Sequence, residues 1–189
     1  MRTEEGATGV VVHEAAVTIG RSVDDVTRYV FDPTTMPHWS AVLYEIGPIA
    51  DVEPRLGRRL RANLKILGVK LTVEGELIEL DLEARRAAVR IVPTGGDGSI
   101  EHRLWVDASG AGSVVHFWNR VELPQWLSRG VGEGLVARFV DHTATFALAN
   151  IKDILEHGEE HNVSRLSLMA SQELPGPERL RLDHGDGQR

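Results

Sequence analysis

The chain has 189 residues, enough for one domain with a proper core and a tail. Its 21 Lys and Arg against 28 Asp and Glu leave a net charge of −7, which argues against nucleic acid or a phosphate-rich surface as the main partner. It has no cysteine, which excludes disulfides, thiolate catalysis and Cys-ligated metal; no apolar run reaches the roughly 18 residues of a membrane span, and MRTEEGATG has neither a basic start nor an apolar core, so a cytoplasmic protein is expected.

Residues 1–9 read as an N-terminal arm, and Val10 to Ile19, rich in Val and loosely alternating, reads as a strand. Ser22 followed by Val23, Asp24 and Asp25 marks a helix start, with a hydroxyl for the cap and acids in the first turn; Asp32-Pro33 stops that helix. Thr34 to Trp39 is a turn or short second helix, and Val42 to Ile49 the next strand. From Gly57 a meander begins. Leu60, Ala62, Leu64 and Ile66 alternate with Arg59, Arg61, Asn63 and Lys65, and a Leu67-Gly68 turn would set Arg59 opposite Glu76, Arg61 opposite Glu74 and Asn63 opposite Thr72. The apolar phase shifts at Leu77-Ile78, which predicts a bulge. Strands at Arg86 to Val92, Ser99 to Asp107 and Ser113 to Leu123 follow, separated by glycine-rich turns, for an expected total of seven antiparallel strands.

Gly130, Gly132 and Gly134 give the chain a flexible entry to its longest element; no strand-turn-helix fingerprint or P-loop lysine makes them a phosphate cradle. Gly132 to His157 reads as one helix. On a wheel, Val136, Phe139, Val140, Ala147, Ile151 and Ile154 share one side, with Leu135, Phe146, Leu148 and Leu155 at its edges, an apolar arc of about 200° that needs a partner curving around it. Thr143 and Asn150 interrupt that arc. Residues 158–189 form a polar tail, expected to be partly disordered or a short docked helix. His157-Gly158-Glu159-Glu160-His161 matches H-x-x-E-H formally, but a glycine sits inside it at a fraying helix end and no third ligand is identifiable, so no metal is expected.

Val17-Thr18-Ile19, Ser22 to Val26, Asp32-Pro33-x-x-x-Pro37-x-Trp39, Gly57 and Ala147-x-x-Asn150-Ile151-Lys152-x-x-Leu155-Glu156, in that order, resemble the START-like, Bet v 1-like SRPBCC superfamily of polyketide cyclase/dehydrase and lipid transport type. His142 to His161 is similar to the terminal helix of bacterial polyketide aromatase/cyclases. The resemblance covers residues 10–157 and implies an α+β helix-grip fold: a seven-stranded antiparallel sheet wrapped around the long C-terminal helix, with two short helices after the first strand and an apolar cavity between sheet and helix. A void on the order of 300 Å³ left empty would cost about 7 kcal/mol at roughly 24 cal/mol per Å³, so such a cavity implies an occupant.

Strand alternation turns Asn119 inward with Val115, Phe117 and Val121, His102 with Ile100, Leu104 and Val106, and Tyr44 with Val42 and Ile46; Thr143 and Asn150 join them from the helix. Such groups either satisfy one another, backbone or water, or hold a ligand. In the second case His102 is the acid or base, Tyr44 a donor to a ketone oxygen and Asn119 a partner for an enolate-like oxygen, while Trp39, Phe117, Leu135, Phe139, Thr143, Phe146 and Asn150 contact the substrate. No cofactor is expected. The resemblance implies three readings: a cyclase or cyclase/aromatase folding a polyketide-like chain, a carrier or sensor of a lipid-like or aromatic ligand, and a co-chaperone-type interaction protein. The expected partner is an apolar small molecule, and a homodimer is allowed.

Overall fold

A computed structural model describes residues 9–47, 55–66, 69–123 and 133–158. The order is β1 (Val10–Ile19), α1 (Val23–Phe31), a 3₁₀ turn (Pro33–Thr35), α2 (Met36–Trp39), β2 (Leu43–Ile46), β3 (Arg59–Ile66), β4 (Val69–Asp81), β5 (Arg86–Pro93), β6 (Ser99–Ser109), β7 (Gly112–Glu122) and α3 (Glu133–His157). The strands form one seven-stranded antiparallel sheet in the order β1-β7-β6-β5-β4-β3-β2. Residues 1–8 of the N-terminal arm, the Leu67-Gly68 turn, the Gly130 and Gly132 crossing and the tail beyond Gly158 lie outside the described residues.

Local chemistry sets the element ends. Ser22 caps α1, its Oγ accepting from the Asp25 N–H at 3.2 Å, and extended Asp32 ends that helix before its side chain accepts from Thr34. In the β3–β4 hairpin the expected rungs form: Arg59 reaches Glu76 at 3.0 Å, Arg61 reaches Glu74 at 3.7 Å, and Thr72 donates to Asn63 at 3.0 Å. The expected bulge lies between Leu77 and Glu79, where the β4–β5 register shifts. Gly112 has no side chain because a Cβ there would collide with the Ile19 carbonyl oxygen. Strand β2 is shorter than expected, and its pairing with β3 slips between Leu43 and Glu45.

The core gathers where α3 ends. Ile19, Val26, Val30, Trp39, Leu104, Val106, Val115, Phe117, Ala147, Leu148, Ile151 and Ile154 form one buried cluster, each large apolar side chain worth about 1.5–3 kcal/mol. Helix α3 lies on β1, β7 and α2. Its last turns are also tied down by polar contacts: Lys152 donates to the Thr18 carbonyl at 2.7 Å, Glu156 accepts from the Gly20 N–H at 2.8 Å, and Arg21 donates to the Leu155 carbonyl at 2.6 Å. The Gly20 N–H, with Lys152 beside it, holds the Glu156 carboxyl below its ordinary pKa. Toward the other end, inner-face Leu60, Leu77, Val89, Ile91, Ile100 and Val121 are only half-buried. There the sheet presents an apolar wall that the helix does not fully cover.

Candidate functional site

Registers across the sheet place the inward side chains in rows. One row runs Leu77, Val89, His102, Asn119, His13 through β4, β5, β6, β7 and β1. Its flanking rows are Ile91, Ile100, Val121, Val11 on one side and Ala87, Leu104, Phe117, Ala15 on the other. Three polar side chains therefore stand together on an otherwise apolar wall.

His102 Nδ1 lies 2.6 Å from Asn119 Oδ1. An amide oxygen only accepts, so Nδ1 carries the hydrogen and a neutral ring leaves the Nε2 lone pair free. Burial pushes the His102 pKa below its ordinary 6.5, and the Asn119 bond only partly offsets this. The ring is thus neutral at pH 7. Phe117 stands edge-on to it at 4.7 Å between centroids and 86° between planes, and the Trp39 ring lies 5.7 Å from that of Phe117. The Phe117 contact holds the imidazole laterally while Asn119 fixes its tautomer.

His13, at the row's end, was not singled out from sequence. Its Nε2 lies 2.8 Å from Asp141 Oδ1 on α3, while its Nδ1 is buried with no hydrogen-bond partner among the described residues. The signal for it is its place among Val11, Ala15, Val17 and Ile19 on the inward side of β1; recognising its neighbours requires knowing that the first strand pairs with the last.

The other expected site residues divide. Phe117 adjoins His102 and Trp39 adjoins Phe117, but both are core residues. Asn150 is 1% exposed and donates to the Trp39 carbonyl at 3.2 Å, which ties α3 to α2. Thr143 donates to the Val140 carbonyl of its own helix at 3.1 Å. Phe139 and Phe146 are half-buried, and Phe146 lies against His142 at 6.4 Å. Two residues depart from expectation. Leu135 is 54% exposed on the first turns of α3, and Tyr44 is 47% exposed because the slip in β2 breaks the alternation that would have turned it inward. The five polar groups expected in one interior reduce to His102 and Asn119 as a directly bonded pair, joined by His13.

Among the described residues no three His, Asp or Glu side chains are placed to hold a metal ion, and no helix is long and apolar enough to cross a membrane. The family described as polyketide cyclase/dehydrase and lipid transport matches residues 11–156. A START superfamily protein from Mycobacterium smegmatis superposes with a TM-score of 0.62 at 14% identity, covering 77% of this chain and 97% of that one. A Chromobacterium violaceum protein gives 0.58 at 11% identity over 77% and 97% of the two chains, and Ara h 8.0201 gives 0.56 at 14% over 82% and 99%. At such identities these likenesses show the fold alone. No curated protein matches the chain. The family match supports hydrophobic ligand binding by this helix-grip domain. With the helix-grip architecture in place and the family match running from the first strand to the last turn of α3, the chain belongs to the polyketide cyclase/dehydrase and lipid transport family.

Proposed function

We propose that the protein binds a polyketide-like apolar molecule against the half-covered inner wall and promotes its cyclisation without a cofactor. The observation that carries this reading is the neutral His102, fixed by Asn119 on an apolar surface. Its Nε2 takes the proton from a carbon between two ketones of a flexible chain. The resulting enolate carbon attacks a distant carbonyl of the same chain, a carbon–carbon bond forms, and the new alkoxide recovers the proton from the imidazolium. No oxidant or reductant is consumed; loss of water from the product would complete an aromatase step. Asn119 uses its oxygen for His102, which leaves its Nδ2 hydrogens for the enolate oxygen. The apolar wall confines the chain in a folded shape, so that proximity supplies much of the rate.

The test is His102→Ala assayed with a poly-β-keto thioester. Turnover falls by about 10²–10⁴-fold, the usual worth of a general base, while affinity for a neutral substrate analogue stays within about twofold. Unchanged turnover would remove His102 from the chemistry. A second reading, a non-catalytic carrier or sensor, is favoured by the protein-internal bonds of Thr143 and Asn150, which leave few polar groups for a ligand. Tight binding with no cyclisation by the wild-type protein would select it.

A further inference from the structure

The outer face of the β3–β4 hairpin breaks its own rule at one rung. Arg59 opposes Glu76, Arg61 opposes Glu74 and Asn63 opposes Thr72, but Lys65 opposes Lys70. Like charges directly opposite one another destabilise an antiparallel pair, and in a chain with 28 acids a complementary residue would remove the repulsion. Among the described residues no ion pair involves either lysine. Glu45, which faces the adjoining rung, is held by the Asn63 amide at 2.7 Å.

What surrounds the two lysines is a groove of about 430 Å³ between α2 and the hairpin. Pro37, Ala41 and Val42 give it an apolar lining, and Tyr44 stands at its side with Lys70 Nζ 5.8 Å from the ring centre. The Lys65 N–H donates to the Val42 carbonyl at 2.8 Å, which fastens the lysine pair to the groove wall. Ser40 Oγ, also in the groove, accepts from the N–H groups of Val42 and Leu43 at 3.3 and 3.0 Å; its own hydrogen has no acceptor among the described residues. Two lysines and two hydroxyl-bearing residues thus line one groove beside a short apolar strip.

We propose that this groove binds an amphiphilic anion: a carboxylate or phosphate head between Lys65 and Lys70, with the Ser40 and Tyr44 hydroxyls as further donors, and a short alkyl segment along Pro37, Ala41 and Val42. The head relieves the repulsion of the Lys65–Lys70 rung, which gives the protein a reason to keep it. None of the groove residues belongs to the His102–Asn119 row, so the site stands independently of the cyclisation reading.

The test is a titration of the ¹⁵N-labelled full chain with octyl phosphate, inorganic phosphate and octanol, beside a Lys65→Gln/Lys70→Gln double variant. Octyl phosphate shifts the amides of Ser40, Tyr44, Lys65 and Lys70, binds at least tenfold tighter than inorganic phosphate or octanol, and loses at least tenfold in the double variant. Equal binding by the double variant, or shifts confined to β6 and β7 around His102, would overturn the proposal. Without ligand the double variant melts at or above the wild-type temperature; a lower midpoint would overturn the like-charge argument on which the site rests. Given lysine-dependent octyl phosphate binding, sedimentation of wild type but not the variant with phosphatidylglycerol vesicles identifies the head as a lipid's. Binding without sedimentation identifies a soluble amphiphile, and both results support the site.

Discussion

Replacing Asn119 by alanine removes the oxygen that the His102 Nδ1–H meets at 2.6 Å, while leaving the β7 backbone and its pairing partners in place. The stranded N–H costs about 1–3 kcal/mol by the usual penalty for an unsatisfied buried donor. Because His102 is only half-buried, water partly replaces the lost amide, and the expected loss is about 1–2 kcal/mol, a factor of roughly 5 to 30 in the folding equilibrium. The same change carries a second signature. The Asn119 bond raises the His102 pKa against the dominant effect of burial, so its loss moves that pKa further down. Urea unfolding at pH 7.5 measures the first effect, and following the His102 ring protons by NMR across pH measures the second. A double-mutant cycle with His102→Phe isolates the pair: Asn119→Ala should cost less in the His102→Phe background, where no N–H is left to satisfy. A wild-type His102 that titrates at or above 6.5, or one whose pKa rises in Asn119→Ala, would refute the reasoning.

Further outcomes follow from burial and close approach. His102 has a folded pKa below its unfolded value of 6.5, so as pH falls below 6.5 the unfolded chain takes up a proton that the fold refuses; stability drops from there down to the folded pKa, and His102→Phe should flatten that slope in unfolding series between pH 7.5 and 5, with identical slopes as the contrary result. Asn150→Leu removes the donor to the Trp39 carbonyl and should cost about 1–3 kcal/mol in urea unfolding; affinity for a neutral apolar ligand should stay within about twofold, and a binding loss without a stability loss would return Asn150 to the ligand. Gly112→Ala drives a Cβ against the Ile19 carbonyl and should cost at least about 1–3 kcal/mol, since two backbones must separate; a change under about 0.5 kcal/mol would contradict the close approach.

Much of the fold was legible because its signals are local. In β3 and β4 the charges that face solvent also choose the register, so Arg59, Arg61 and Asn63 could be paired with Glu76, Glu74 and Thr72 before any coordinates. Ser22 and Asp32-Pro33 announce the ends of α1 through short-range hydrogen bonds and backbone restriction. The site was legible only where alternation persists, as it does through His102 and Asn119. At Tyr44 a one-residue slip reversed the face, an event that a period-two pattern cannot register. Helical periodicity placed Asn150 and Thr143 on the apolar side of α3 but could not say what they would touch; the answers, a carbonyl of α2 and one of their own helix, depend on packing distances. His13 depends on strands more than a hundred residues apart meeting edge to edge, and one sequence without its contacts carries no mark of that meeting.

That meeting also sets the order in which the molecule can be finished. Val10 pairs with Glu122 and Ile19 with Ser113, so during synthesis the first strand must wait for the last one to leave the ribosome, and the hydrophobic concavity stays open to water until residues 133–157 have emerged. Maturation is therefore late and all at once, and truncated chains that stop short of α3 should be clients for chaperones and proteases rather than small stable fragments.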